Sequence, residues 1–215
     1  KVTYNTFIST KLSFANTVME MCHKLPNTNC DDVMNALALG SKRILAESYW
    51  SGGMGDGGGC HPRDNIALSW LSKELDLSHD WFDHIMMQRE SQTDWLANLI
   101  EEHSNGLPIN ILGKSFKPET NITTGSPSIL LKNILEERGH PVFIWDPYVD
   151  ESWEEIKRMY DDSETESQLY FIGTKHPEFT SFPFEKGSVI IDPWRYIPES
   201  DEYKVIHIGI GESLK

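Results

Sequence analysis

Cysteine is scarce in this chain: Cys22, Cys30 and Cys60 are the only three in 215 residues. No two are spaced C-x-x-C and the number is odd. Metal-site spacing is therefore absent, a disulfide framework does not fit, and the chain suits a reducing, cytoplasmic setting. Long apolar runs are missing as well. Nothing approaches the roughly 18 apolar residues of a membrane span, and no signal-peptide pattern is present. Positive charge is short: 19 Lys and Arg stand against 33 Asp and Glu, a formal net charge of -14. Neutralising nucleic-acid phosphates takes clustered Lys and Arg, so a general nucleic-acid binder is excluded and the acidity reads as solubility. Internal repeats, low-complexity tracts and a strand–GxGxxG–helix unit with a following acidic residue are all absent. The sequence starts on Lys1 inside a helical pattern with no Met, and is expected to be a piece of something longer.

What is present is enough for real cores: 39% hydrophobic and 11% aromatic residues over a length that suits one large domain or two small ones. Ile8, Leu12, Ala15, Met19 and Cys22 make one apolar stripe, predicting a helix over 1–25. A second helix is expected from Asp31 to Leu39, closed by Gly40, and a third with Pro62 in its first turn, through about Leu75. Ser78 is the expected N-cap of a long helix carrying Trp81, Phe82, Ile85, Trp95, Leu96 and Leu99, ending near His103–Gly106. There the period changes. Ile109–Gly113, Val142–Trp145, Leu169–Gly173, Val189–Asp192 and Val205–Ile208 are short β-rich runs, with a helix from Pro127 to Glu137 between the first two. The expected fold is α/β overall: an all-α domain over 1–105, then a Rossmann-like, parallel, doubly wound α/β domain over 106–215. Ligands of such sheets bind beyond the carboxyl ends of the strands, which points to the loops after Gly113 and Asp192. His176 follows another strand end, and as a single His without a partner it reads as a surface residue.

The stretch from Ser51 to Asp64, SGGMGDGGGCHPRD, is the most informative. Gly53, Gly55 and Gly58 formally satisfy G-x-G-x-x-G, but no strand precedes them and Pro62 follows, so a dinucleotide reading fails. Glycine here suits close approach of bare backbone to a bulky ligand. Cys60 ends the loop at a helix start, where exposed N–H groups and the helix dipole favour an anionic thiolate. A nucleophile is placed in such a position; a buried structural thiol is the other reading that the local residues leave. Cys22 and Cys30 lack the loop and read as structural. Lys1 and Asn5 lie one turn apart on a shared helix face.

These residues carry a resemblance. Gly55, Gly57, Gly58, Cys60, Pro62, Arg63 and Asp64 spell G-x-G-G-x-C-x-P-(K or R)-D, which resembles the catalytic-cysteine signature of the UDP-glucose/GDP-mannose dehydrogenase family. Further matches follow in the family's order: Lys1, Asn5, Phe7 and Asn16 in the first helix, Arg43 in LGSKRI, Phe116 and Lys117 in LGKSFKPET, then Trp145-Asp146-Pro147 and Asp192-Pro193-Trp194-Arg195. The resemblance spans essentially the whole chain.

It implies an NAD-dependent oxidation of a nucleotide sugar at C6 to the uronic acid, through a thiohemiacetal and a thioester on Cys60. It implies that Lys1 stabilises the oxyanion, Asn5 orients the reacting oxygen or a water, and Asp64 serves the hydrolytic water. Tyr49, Gly57, Phe116 and Lys117 would contact the sugar nucleotide, and Arg43 would reach the substrate of a neighbouring subunit, giving a homodimer through the helical domain. Arg195 would bind near the cofactor. No metal is implied. Without the family match, Lys1 and Asn5 read as a solvated polar pair and Lys117 as a surface lysine. The chain departs from the family at Ile122 and Thr124, where an Asp and an Arg are usual, and at Asp56 and His61. A non-catalytic sugar-nucleotide-binding or dimerisation module is the competing reading, and the wider hydroxy-acid dehydrogenases, which need no glycine-flanked cysteine, are a third.

Overall fold

The computed structural model describes residues 1–40, 44, 51–55, 59–153 and 167–210, with the backbone alone at 2–6, 8, 9 and 12. Two compact units are formed, Lys1–Ser51 with Arg63–Gln88 and Gly52–Pro62 with Arg89–Lys215. The chain thus changes unit within the long helix, after Gln88, and the glycine loop belongs with the C-terminal half. The expected boundary at 105/106 follows the change from helix to strand instead.

The first unit is helical. Helix α1 spans Val2–Lys24 and α2 spans Cys30–Ala38, the latter capped by the Asn29 side chain, which accepts the Asp31 N–H at 2.9 Å. The inward stripe of α1 is half-buried Phe14 with buried Val18 and Met21, spaced i, i+4, i+7, while Met19, on the expected stripe, is 53% exposed. The larger ring decides the face: Phe14 meets Trp81 and Phe82 edge-on, with centroids 5.4 and 6.5 Å apart. Helix α3 spans Cys60–Glu74 and α4 spans Trp81–Ser104. Asp80, and not Ser78, caps α4, its Oδ1 accepting the Asp83 N–H at 3.0 Å. Ser78 instead donates its amide and hydroxyl to the Glu20 carboxylate at 3.0 and 2.8 Å. Those two bonds, with Lys24, bring the Glu20 carboxyl down to about 2. Replacing Asp80 by Ala should cost about 1 kcal/mol, read as a lower urea midpoint, because the α4 amide and the Ser69 hydroxyl both lose their acceptor.

The second unit is built on a parallel sheet of β1 (Ile109–Leu112), β2 (Val142–Trp145), β3 (Leu169–Ile172), β4 (Val189–Asp192) and β5 (Lys204–His207). Strand order is β2-β1-β3-β4-β5, so the α/β, Rossmann-like expectation holds and the topological switch falls between β1 and β3. All residues of β1 and β3 are buried, as strands covered on both faces must be. Ile109, Ile111, Leu169 and Phe171 pack one way, with Leu96, Ala97 and Ile100 of α4 and Leu131 and Leu135 of helix α5 (Pro127–Glu137). Leu112, Tyr170 and Ile172 face the other way, into an aromatic layer with Trp145 and Phe179. Each fully buried Ile, Leu or Phe contributes roughly 2 kcal/mol. Arg138 braces α5 on α4 through Asp94 and Glu101.

Candidate active site

The carboxyl ends of β1, β2 and β3 meet around one buried carboxylate. Asp146, directly after β2, is 0% exposed. Its Oδ2 accepts the amides of Lys114 and Ser115 at 2.7 and 2.8 Å, and its Oδ1 accepts the amide of Tyr148 at 2.9 Å. His176 Nε2 lies 3.0 Å from Asp146 Oδ2 and 3.0 Å from Ser115 Oγ. Burial opposes the charge of Asp146, but the bonds from His176, Ser115, Tyr148 and Lys114 outweigh it and hold the carboxyl far below the ordinary range.

His176 is a correction to the sequence reading. It is 0% exposed, with its ring stacked on Tyr148 at 4.9 Å between centroids. Its Nδ1 accepts the Glu119 amide at 3.2 Å, which requires a lone pair there, so the ring proton sits on Nε2 toward Asp146. No local sequence pattern distinguishes this His from a surface one, because its partners lie 30 and 61 residues away.

The network fixes the loop after β1. Gly113 has φ +104, and a Cβ there would fall 2.4 Å from the Thr174 nitrogen, so glycine lets the β1 and β3 ends touch. Thr174 Oγ1 donates to Ser115 O at 2.6 Å, and Ser115 Oγ donates to Lys117 O at 3.0 Å. Phe116 N–H bonds Ile122 O at 3.0 Å, closing the loop. Phe116 is half-buried and Lys117 exposed, with Nζ 5.5 Å from the Phe116 ring centroid. A fixed loop thus presents an exposed cationic tip at the sheet end.

The glycine loop belongs to the same unit. Met54, its one large described side chain, is buried in the core with Leu96, Ala97 and Ile100. Gly53 is approached so closely by the Trp194 ring that a Cβ would fall 2.0 Å from it. Gly59 faces Thr124, whose Cγ2 is 3.4 Å from where a Gly59 Cβ would be. Cys60 is the first residue of α3 and is exposed. Cys22 and Cys30 are intermediate.

The other expected site residues distribute as follows. Lys1 precedes α1 and is exposed; Asp64 is exposed on α3 and paired with Arg63, Nε to Oδ1 at 3.1 Å. Both belong to the first unit. Asn5 lies on α1, but its side chain falls outside the described residues, as do Arg43, Tyr49 and Gly57 entirely. Arg195, expected near the cofactor, has φ +58 and gives its guanidinium to the carbonyls of Pro193, Ile208 and Gly52 at 2.6, 3.0 and 2.6 Å. The acid before it, Asp192, accepts the amides of Trp194, Tyr196 and Ile197 and shapes that turn. Gln92 and Met54 were not legible as site residues. Among the described residues no cluster of His, Cys, Asp and Glu could hold a metal, and no helix is long and apolar enough to cross a membrane.

The central-domain model of the UDP-glucose/GDP-mannose dehydrogenase family matches residues 1–89, and that family's UDP-binding-domain model matches residues 110–198. The chain is similar to a UDP-glucose 6-dehydrogenase of Rickettsia bellii, 26% identical over 94% of this chain and 50% of that one. It is similar to a GDP-mannose 6-dehydrogenase of Pseudomonas aeruginosa, 29% identical over 70% of this chain and 34% of that one. Among solved structures, a GDP-mannose dehydrogenase of Pseudomonas aeruginosa aligns with TM-score 0.77 at 21% identity, over 95% of this chain and 51% of that one, a likeness of fold. A UDP-glucose dehydrogenase of Pyrobaculum islandicum aligns with TM-score 0.59 at 26% identity, over 95% and 49%. The chain spans about half the length of the Rickettsia relative.

Proposed function

The chain belongs to the UDP-glucose/GDP-mannose dehydrogenase family, and on that premise we propose that it serves the NAD-dependent, four-electron oxidation of a nucleotide sugar at C6 to the uronic acid, with Cys60 as the nucleophile. UDP-glucose or a UDP-N-acetylhexosamine is the substrate class. The observation that carries this reading is the exposed Cys60 at the head of α3, on a loop packed in the same unit as the carboxyl ends of a parallel sheet.

NAD would supply the acceptor for the two hydrides. The chain's own chemistry lies between the two oxidations. The Cys60 thiolate adds to the C6 aldehyde, forming a C–S bond and an alkoxide that Lys1 stabilises and Asn5 orients. One such donor is worth about 3 kcal/mol. The aldehyde carbon is now tetrahedral and has a hydride to give. Collapse of the alkoxide expels that hydride to its acceptor and leaves a thioester on Cys60. Water adds, Asp64 takes its proton, the C–S bond breaks, and the carboxylate leaves as the thiol regains a proton.

Phe116 and Lys117 hold the sugar nucleotide, the Lys117 ammonium facing its diphosphate. Tyr49 and Gly57 line the sugar, and Arg43 reaches across a homodimer formed through the helical unit. The exposed Ile66 and Trp70, 59% and 62% accessible one turn apart on α3, support that pairing. A reducing, cytoplasmic location completes the reading. The test is stoichiometry in the full-length protein: two NADH per uronate for one nucleotide sugar out of UDP-glucose, UDP-N-acetylhexosamines and GDP-mannose. One NADH per sugar with release of free aldehyde would overturn the four-electron assignment, and no turnover of any sugar would favour a binding module.

A further inference from the structure

Arg195 and Gln92 converge on the glycine loop from opposite ends of the sequence. Arg195 Nη2 donates to Gly52 O at 2.6 Å across 143 residues. The Gln92 amide clips the next three residues, its Nε2 donating to Gly53 O at 3.1 Å and its Oε1 accepting the Gly55 N–H at 3.1 Å. Trp194 lies over Gly53, Pro127 over Gly55, and Met54 is 5% exposed in the core between them. A glycine-rich run of this kind has more backbone freedom than any other sequence, and its described residues, 51–55 and 59, lie outside helix and strand, so it holds one shape only when other segments hold it.

We infer that Arg195 and Gln92 are positioning residues: they clamp the backbone of the glycine loop and so set where Cys60 stands. The inference rests on Cys60 as nucleophile. Its physical ground is valence. Arg195 spends Nη1 on Pro193 O and Ile208 O and Nη2 on Gly52 O, and Gln92 spends both ends of its amide on the loop. These bonds tie both side chains to the backbone of the loop. Glycine at position 53 is demanded by the Trp194 ring, so the loop's composition answers to the clamp as well as to a ligand.

A displacement of about 1 Å in a reacting group costs on the order of 100-fold in rate. In the full-length enzyme, Arg195→Met and Gln92→Leu should each lower kcat by roughly 10- to 100-fold. KM for NAD should stay within about twofold of wild type, and amide exchange at Gly53–Gly55 should speed up by about tenfold or more. Gln92→Leu is the cleaner variant, because its amide touches the loop alone among its recorded partners. A rise in KM for NAD in Arg195→Met with exchange unchanged would overturn the clamp in favour of cofactor binding. Unchanged exchange and kcat in Gln92→Leu would overturn it as well. Failure of the underlying reading shows separately: wild-type enzyme fully alkylated at Cys60 would keep its activity, while the exchange result would stand.

Discussion

Alanine at Asp146 is expected to lower the stability of the sheet-bearing unit by about 4 kcal/mol, roughly a thousandfold in the folding equilibrium. The reason is what the substitution leaves behind. The amides of Lys114, Ser115 and Tyr148 and the Nε2 proton of His176 all point at this carboxylate, and the site is closed to water. Each buried donor left without an acceptor costs about 1–3 kcal/mol. Domains hold about 5–15 kcal/mol in all, so the loss is a large share. Urea unfolding followed by tryptophan fluorescence would read it, and a midpoint equivalent to less than about 1 kcal/mol from wild type would contradict the network's role.

The same residue sets an acid limit. Its folded carboxyl lies below the free value of 3.8, so its stabilisation is complete above about pH 4 and is lost as pH falls through the folded value. Wild type should lose stability as pH drops below about 4, and the Asp146→Ala protein should lose that part of the acid dependence.

Cys60→Ala is expected to reduce uronate formation by the full-length protein on the order of 1,000-fold or more, with little change in stability. The kinetic loss follows from the chemistry. An aldehyde cannot give up a second hydride until a nucleophile makes its carbon tetrahedral, and alanine offers none. Stability is spared because the side chain is exposed and contributes no burial. The first two-electron oxidation does not need the thiol, so aldehyde should appear where wild type yields acid. Product analysis by mass spectrometry over the panel of sugars separates the two, and a wild-type-like yield of uronic acid would rule out the assignment.

Most of the architecture was legible in local pattern. Short β-rich runs ended by glycine, Ile109–Leu112 and Leu169–Ile172, read as strands, and β1 and β3 are strands buried on both faces. Cys60 was legible because loop, helix start and Pro62 are adjacent in sequence. His176 was not, since its environment is assembled by residues far along the chain. Arg195 shows the same limit from the other side. Its position after a strand was visible, but its bonds to Gly52 and Ile208 depend on where the chain returns. Two caps and faces shifted by small steps for local reasons: Asp80 lies next to α4 and outcompetes Ser78, and Phe14 turns α1 toward Trp81 and away from Met19.

The most direct measurement is of the covalent intermediate itself. Full-length protein carrying Asp64→Asn, which weakens the proposed base of the hydrolytic step, is mixed with NAD and its nucleotide sugar, quenched in acid and digested. The Cys60 peptide should carry the mass of the sugar nucleotide as an acyl adduct, discharged by hydroxylamine and absent without NAD. An unmodified Cys60 peptide in protein that still turns sugar into uronate would contradict the account.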